Sequence, residues 1–502
     1  SSARLEQRRY VMSTFNVVET TIDEIHKAFE SGKLTPRQLV QTYLDRIEAY
    51  DKKGPALNSI ITVNPKALEE ADRLDASSRS GPLHGIPVIF KDQGDVKGMP
   101  TTLGCVLFKD YYPDRDCFVV EKLKKAGAII LAKTTLGELG GGDTHGSLFG
   151  STRNPYDVER TVGGSSGGSG AGVSANFATV AVGQEGYASI RRPSTWNCVA
   201  GMRPTPGLVS RAGVYDGWPD MTGSLGPMAR TARDMAKLLD VMVGYDPEDR
   251  VTARGVGHIP NSYTEFLDAN GLIGARIGIL RELMGYTSEP DTDDFKQITE
   301  VFDRAVADLK AAGAEIVDPI VIPKLNELLA KRAGSPTSAE EAFKEYLGRS
   351  AKPPFESRKD AMASPDFDKV HHNAQTRWKA PADATRHYQY LLAREELMTN
   401  LLKVMADNNL DAIVHKSVEH QPTLIIDGIK PPFVNMRGVP HVNTFLVFVS
   451  SVAVPAGFTR DDLPAGITFL GRPYDDGKMI KFAYAYEQAT NHRRPPASTL
   501  EL

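Results

Sequence analysis

Cysteine is scarce in this chain of 502 residues, which contains only Cys105, Cys117 and Cys198. Three scattered thiols cannot form the disulfide framework of a small secreted domain, and no C-x-x-C pair is present to bind zinc. The sequence also lacks an H-E-x-x-H motif and any cluster of His, Asp and Glu at metal-binding spacing. These absences predict a protein of a reducing compartment, which we expect to be the cytoplasm, with no metal site.

Long hydrophobic runs are missing as well. The longest run, 445–454, is interrupted by Ser450 and Ser451 and stops at Pro455. It is therefore well short of the roughly 18 residues that a membrane-spanning helix needs. Residues 1–12 mix arginines with Glu and have no apolar stretch behind them, so we expect a frayed tail or a cloning remnant rather than a secretory signal.

Charge of one sign does not dominate either. The chain has 59 basic and 63 acidic residues, a net charge of −4, and 41% of its residues are hydrophobic. This balance offers no global attraction to nucleic acid or to an anionic membrane, and the hydrophobic content excludes an intrinsically disordered protein.

Short apolar, β-branched runs alternate with amphipathic helical patterns along the chain. Strands are predicted at 59–63, 86–90, 128–131, 180–182, 276–280 and 412–414, and helices at 65–75, 118–126, 231–243, 293–312, 387–408 and 477–490. Two earlier helices are predicted from a capping-box pattern at Thr21 and from Thr35 followed by Pro36. The alternation indicates an α/β fold around a mostly parallel, mixed sheet surrounded by helices.

One segment differs from the rest of the chain. Residues 325–385 are rich in proline, charge and scattered aromatics. A buried strand or a long helix would not tolerate those prolines, so we predict a cap-like insertion over the sheet within a single domain of residues 13–502. An ordinary surface linker is the alternative interpretation.

The glycine- and serine-rich run 163–172 is the sharpest local signal. Its second half loosely matches a dinucleotide-binding pattern, but 153–157 does not look like the strand that should precede it. Its first half matches the G-x-S-x-G nucleophile elbow, with Ser165 as nucleophile, although 157–161 is too polar for the apolar strand that an elbow requires. A flexible linker is a third interpretation.

A fourth interpretation rests on a resemblance. Residues 163–169, Gly-Gly-Ser-Ser-Gly-Gly-Ser, resemble the core of the amidase signature family, and 189–193, Ser-Ile-Arg-Arg-Pro, are similar to its next motif at the family's separation. Residues 85–92 resemble the stretch that bears the catalytic lysine. Further matches lie at 201–205, 454–458, 471–473 and 492–496. The resemblance runs from about Thr21 to the end and implies the amidase signature fold and a cofactor-free amidohydrolase.

The resemblance implies a triad in which Ser189 is the nucleophile, Ser165 a relay that follows a cis peptide bond, and Lys91 the base. A serine hydroxyl is a poor nucleophile until a base takes its proton. A lysine can do so only when neutral, which requires burial to lower its pKa by about 3 from ~10.4. Lys91 ends the predicted strand 86–90 and is therefore placed for burial. Ser166 is expected to order the surrounding loop.

The oxyanion hole would consist of backbone N–H groups aimed at the developing charge on the substrate oxygen. The resemblance assigns it to Gly186, Tyr187, Ala188 and Ser189. Residues 183–189 read Gly-Gln-Glu-Gly-Tyr-Ala-Ser, whereas the commoner family pattern is Gly-Thr-Asp-x-Gly-Gly-Ser. Backbone donors survive such changes, but Tyr187 and Ala188 restrict dihedral angles that glycine leaves free.

Further expectations concern the surroundings of this site. Glu185 and Arg191 should form a structural ion pair. A mobile glycine loop, 139–149, should wall the substrate pocket, with His145 either facing substrate or ordering the loop. The insertion at 325–385 should cover this pocket, and its aromatics could accept aryl or long apolar groups. The substrate-binding residues of the glycine loop are predicted to be Gly140, Gly141 and Gly142.

Family members with closely similar Gly-Gln-Glu-Gly-aromatic-Ala-Ser-Ile-Arg-Arg-Pro segments hydrolyse carbamates, so the resemblance implies an amidase with a possible urethanase activity. We expect apolar or aromatic small-molecule amides and carbamates as substrates, with free acids poor because the glycine loop offers no paired arginines. The expected protein is a monomer or homodimer without nucleic-acid or membrane partners. Two rivals remain, an α/β-hydrolase-type esterase that uses Ser165 and an amidotransferase-like subunit.

Overall fold

The computed structural model describes residues 15–215, 223–285, 287–333, 339–445 and 448–502. Its strands are, in chain order, β1 (Ile60–Val63), β2 (Pro87–Lys91), β3 (Ile129–Thr134), β4 (His145–Gly146), β5 (Gly150–Ser151), β6 (Arg153–Asn154), β7 (Asp157–Thr161), β8 (Val180–Glu185), β9 (Ala200–Arg203), β10 (Ser224–Ala229), β11 (Arg276–Leu280), β12 (Glu315–Ile320), β13 (Ala412–Lys416), β14 (Ser451–Phe458) and β15 (Pro464–Leu470).

The α-helices are α1 (Ile22–Glu30), α2 (Pro36–Arg46), α3 (Ala67–Asp75), α4 (Phe118–Lys125), α5 (Gly167–Ser174), α6 (Arg191–Trp196), α7 (Ala232–Met242), α8 (Asp293–Ala311), α9 (Leu325–Leu329), α10 (Ala339–Leu347), α11 (Arg358–Ala363), α12 (His372–Lys379), α13 (Ala384–Asp407), α14 (Ile425–Ile429) and α15 (Asp476–Thr490). Both predicted helix starts are present. Thr21 accepts a hydrogen bond from the Glu24 N–H, and Thr35 forms a reciprocal capping box with Gln38.

Within the described ranges, eleven strands form one sheet in the order β1-β3-β2-β8-β10-β9-β14-β15-β13-β11-β12. This confirms the mixed α/β fold. Parallel pairing is confined to β3-β2-β8 and β13-β11-β12, and six of the ten neighbouring pairs are antiparallel. The expected parallel character is therefore limited to these two parts. The centre differs because β14 and β15 are joined by a short turn, which permits only antiparallel pairing, and β10 lies antiparallel between β8 and β9.

Several strands were not predicted from the sequence. β10 contains Gly226 and Pro227, and β14 contains Pro455, opposite Gly466 beside an irregularity in register. Proline and glycine weaken the strand signal, yet both strands are buried within the sheet, where neighbouring strands support them. The polar segment Asp157–Thr161 is also a strand, contrary to the expectation for 153–161. It pairs with β6 in a separate two-stranded ribbon rather than in the main sheet.

The segment 325–385, called the cap segment below, forms four short helices, α9 to α12, in its described part. Its aromatic side chains are buried rather than solvated, since Phe343 and Trp378 pack edge to face and Phe343 also contacts Phe108. This aromatic cluster attaches the cap segment to the loops above the carboxyl end of β2. In the described part of the chain, no helix is long and apolar enough to cross a membrane.

Candidate active site

Three side chains predicted from distant motifs meet at one place. Lys91, the last residue of β2, is fully buried, and its Nζ lies 2.6 Å from Ser165 Oγ. Ser165 Oγ lies 2.8 Å from Ser189 Oγ, and the peptide bond from Gly164 to Ser165 is cis. Lys91 Nζ also donates to the carbonyl of Gln184, at 3.2 Å. An amine and two hydroxyls are thus connected in a continuous line that ends at the partly exposed Ser189.

Close backbone packing holds Ser165 in this line. A Cβ atom on Gly164 would collide with the carbonyl oxygen of Gly142, so only glycine allows the two loops to approach. The next residue orders the same loop, as expected, because the Ser166 N–H donates to the Ser189 carbonyl at 3.0 Å and its hydroxyl bonds to the backbone of Gln184.

The loop 186–189 follows β8 directly and precedes α6. Among the described residues, no acceptor is found for the backbone N–H groups of Gly186, Ala188 and Ser189. Tyr187 is half-buried in the same loop, and its carbonyl accepts a 3.3 Å hydrogen bond from Arg191. Available N–H donors beside a serine hydroxyl are what a hole for a developing oxyanion requires.

The buried carboxylate of Glu185 fixes the residues that follow this loop. One carboxylate oxygen accepts from the N–H groups of Ile190 and Arg191, and the other lies 2.8 Å from the Arg191 guanidinium. Burial alone would raise the pKa of Glu185, but Arg191 and Arg203 outweigh it and hold this pKa below its usual value. The predicted ion pair is present, and its contacts are structural.

His145 orders a loop and does not face the cavity. Its Nδ1 lies 2.7 Å from Ser151 Oγ, and its ring stacks on His371 at 5.3 Å. Burial lowers the pKa of His145 to about 4. The neighbouring Asp143 instead makes a buried ion pair with Arg192 of α6, which ties the glycine loop to the helix that follows Ser189.

Ser189 opens into a cavity of about 1240 Å³ that Gly140, Gly141 and Gly142 also line. The rest of the wall comes from the cap segment and from further segments that no motif of the sequence indicated. These contributions include Gln93, Tyr215, Trp378 and the loop 432–437. Arginines also reach the cavity from outside the glycine loop, namely Arg332, Arg358, Arg377, Arg386 and Arg437. The expected shortage of arginines therefore holds for the glycine loop and does not extend to the whole pocket.

The alternative roles of the glycine-rich run fit this geometry poorly. A nucleophile elbow follows a strand of the central sheet and pairs its serine with histidine. Here β7 belongs to a separate ribbon, and the partners described for the Ser165 hydroxyl are Lys91 and Ser189. Within the described ranges, no three His, Cys, Asp or Glu side chains are grouped so that they could hold a metal ion.

Comparison with known proteins agrees with the geometry. A family model for amidases matches residues 38–480. The chain belongs to the amidase signature family. A probable amidase of Arabidopsis thaliana is 34% identical to this family member, over 96% of the chain and 92% of that protein. A glutamyl-tRNA(Gln) amidotransferase subunit of Methanosarcina barkeri is 32% identical, over 88% and 92% respectively.

Solved structures of amidases share this architecture. The native peptide amidase of Stenotrophomonas maltophilia superposes with a TM-score of 0.84 at 31% identity, over 95% of this chain and 98% of that one. A bacterial aryl acylamidase superposes with a TM-score of 0.78 at 23% identity, over 94% and 96% respectively, which shows the shared fold alone. The chain is thus an amidase-family enzyme, and its relatives include both amidases and one component of an amidotransferase.

Proposed function

We propose that the chain is a cofactor-free serine amidohydrolase that uses Ser189, Ser165 and Lys91. Ser189 Oγ attacks the carbonyl carbon of an amide or carbamate, and its proton passes through Ser165 to neutral Lys91. A proton from the Lys91 ammonium then returns along the same line to the leaving nitrogen as the C–N bond breaks, which leaves an acyl-enzyme. Water, deprotonated through the same line, hydrolyses the acyl-enzyme and frees Ser189.

The observation that carries this proposal is the line of contacts of 2.6 and 2.8 Å from Lys91 to Ser189. Hydroxyl hydrogens rotate, so both contacts can carry a proton towards a neutral amine as readily as away from a charged one. Proton transfer across such distances needs no side-chain movement. The N–H groups of Gly186, Ala188 and Ser189 support the proposal because they can receive the substrate oxygen as it becomes negative.

The cavity supports a proposal for the substrate class. Its volume of about 1240 Å³ exceeds the need of a small primary amide, and the rings of Tyr215, Trp378 and Phe433 contribute to its wall. We therefore propose aromatic or extended apolar amides as substrates, and carbamates as well, because both present a trigonal carbonyl with a nitrogen leaving group. Acidic substrates were expected to be poor because the glycine loop lacks arginines. Since arginines from other segments line the cavity, acidic substrates are no longer excluded on this ground.

One rival requires a direct test, because a component of an amidotransferase is among the similar proteins. In such a role the chain would supply ammonia to a partner rather than act alone. Turnover by the purified chain with no other protein would favour the amidase. Turnover that appears only with a stoichiometric partner would favour the amidotransferase role.

Covalent labelling tests the assignment of the nucleophile. A fluorophosphonate probe, located by peptide mass spectrometry, should modify Ser189, and Ser189→Ala should lose both labelling and turnover. Ser165→Ala should still be labelled on Ser189, but at least about 100-fold more slowly, since the relay is gone. Labelling of Ser165 that is lost only in Ser165→Ala would instead support the α/β-hydrolase-type esterase, in which Ser165 is the nucleophile.

A further inference from the structure

Arg332 lies over the ring of Tyr187. Tyr187 belongs to the loop that carries the proposed oxyanion donors, whereas Arg332 does not. The guanidinium carbon is 5.4 Å from the ring centroid, within the range of a cation–π interaction. Arg332 follows α9 in the cap segment, whereas Tyr187 follows β8 in the sheet. Both residues line the cavity into which Ser189 opens.

A second contact directs the guanidinium towards the ring. Arg332 NH1 lies 3.1 Å from His441 Nε2. Arginine stays protonated and only donates, so this histidine nitrogen accepts and the imidazole is neutral. Within the described ranges, no carboxylate forms an ion pair with Arg332.

Tyr187 is thereby held from two sides. Arg191 donates to its carbonyl from the interior at 3.3 Å, while Arg332 packs on its ring from the cavity side. Glycine would leave the backbone here free to rotate, whereas a tyrosine held at both ends leaves one orientation for the adjoining peptide groups. Those peptide groups include the N–H of Ala188, a residue that lines the cavity together with Ser189.

We propose that Arg332 is a positioning residue for the oxyanion hole and acts through the ring of Tyr187. By packing on this ring from the cap segment, Arg332 fixes the conformation in which loop 186–189 presents its N–H groups. This inference rests on the proposed function, because it presupposes that charge develops at loop 186–189. It links the cap segment to the rate of the chemical step and not only to substrate binding.

A double-mutant cycle tests the inference with a fluorophosphonate probe, which carries no charge for Arg332 to bind. Arg332→Gln should slow the labelling of Ser189 by about tenfold, less than the loss of a whole oxyanion donor. Tyr187→Gly should slow it as well. In the Tyr187→Gly background, Arg332→Gln should have no further effect, because its effect passes through the missing ring.

The matched control is Arg233→Gln, which removes a similar arginine–aromatic contact, 5.6 Å from the ring of Tyr484, away from the cavity. It should leave the labelling rate unchanged. If Tyr187→Gly does not fold, as judged by its melting temperature, Tyr187→Leu removes the ring in its place. Losses that multiply in the double variant, or an unchanged rate in Arg332→Gln, would overturn the inference. Labelling that survives Ser189→Ala would overturn the proposed function instead.

Discussion

The hydroxyl of Tyr346 donates a 2.6 Å hydrogen bond to the carboxylate of Asp95. Tyr346 belongs to α10 of the cap segment, and Asp95 lies in the loop that follows Lys91. The same carboxylate oxygen accepts a 2.9 Å hydrogen bond from Thr101, and all three side chains are buried. Arg349 of the cap segment also forms an ion pair with the other oxygen of Asp95, at 3.7 Å. Polar contacts therefore connect the cap segment to the loop next to the proposed base.

Removing this hydroxyl should loosen the cap segment. Tyr346→Phe leaves a buried carboxylate with one donor fewer, so we expect a loss of about 1.5–3 kcal/mol in the free energy of unfolding. KM should rise, because α10 lines the cavity through Ala339 and Ala342. Calorimetry and steady-state kinetics measure the two effects. Tyr388→Phe, on a tyrosine that is 61% exposed, is the control, and equal behaviour of the two variants would contradict the prediction.

Asp95 should make stability depend on pH. Burial raises the pKa of Asp95 to about 6, although the hydrogen bonds from Tyr346 and Thr101 lower this pKa. The unfolded carboxyl titrates near 3.9, so between about pH 4 and 6 only the folded state retains the proton. The contribution of Asp95 to stability is therefore full below about pH 4, falls as pH rises to about 6, and then stays constant.

The variant Asp95→Asn cannot titrate and isolates this effect. Its stability relative to the unmodified protein should increase between pH 4 and pH 7, by at most about 3 kcal/mol. Melting temperatures of both proteins across this range provide the measurement. A difference that stays constant with pH would show that Asp95 has an ordinary pKa.

The base role of Lys91 predicts a second pH effect, on activity. If only the neutral amine accepts the proton, kcat/KM should rise through neutral pH into the alkaline range. Lys91→Arg should lower kcat/KM by at least about 100-fold, because a guanidinium stays protonated. The exposed Lys97→Arg serves as the control. A flat profile from about pH 5 to 9, with chemistry rate-limiting, would remove Lys91 from this role.

Two glycines near the nucleophile should respond differently to alanine. A Cβ on Gly164 would collide with the backbone of Gly142, whereas a Cβ on Gly186 would meet nothing within 4 Å. Gly164→Ala should therefore cost about 3 kcal/mol or more and displace Ser165. Gly186→Ala should keep its melting temperature. Similar melting temperatures for the two variants would mean that the glycine loop can yield to the added methyl group.

The cavity predicts a preference for larger substrates. An aryl acylamide and an aryl carbamate should exceed a small primary amide in kcat/KM by at least about tenfold, since burial of a ring contributes a few kcal/mol. Side-by-side kinetics with a malonamate-like acid complete the panel. If the acid exceeded the aryl substrates by more than about 100-fold, the arginines and not the aromatic wall would determine specificity.

Local patterns allowed much of the fold to be predicted. The strand at 276–280 has the predicted bounds, and long amphipathic helices such as α8 and α15 lie within a residue of the prediction. Such elements carry their periodicity in consecutive residues. β10 and β14 were missed because Pro227 and Pro455 disrupt the strand pattern, and only pairing with neighbouring strands makes these segments extended.

The family and the proposed roles of Lys91, Ser165 and Ser189 could be predicted from the sequence, because each of the three residues lies within a short motif whose residues are neighbours in the chain. How the three side chains meet depends on contacts between distant segments. Parallel pairing of β2 with β8 brings Lys91 beside the backbone of Gln184. Packing also assembled the cavity wall, including Arg332, from segments far apart in the chain. No local pattern encodes such contacts, because side chains on separate elements become neighbours only when the sheet and the cap segment pack together.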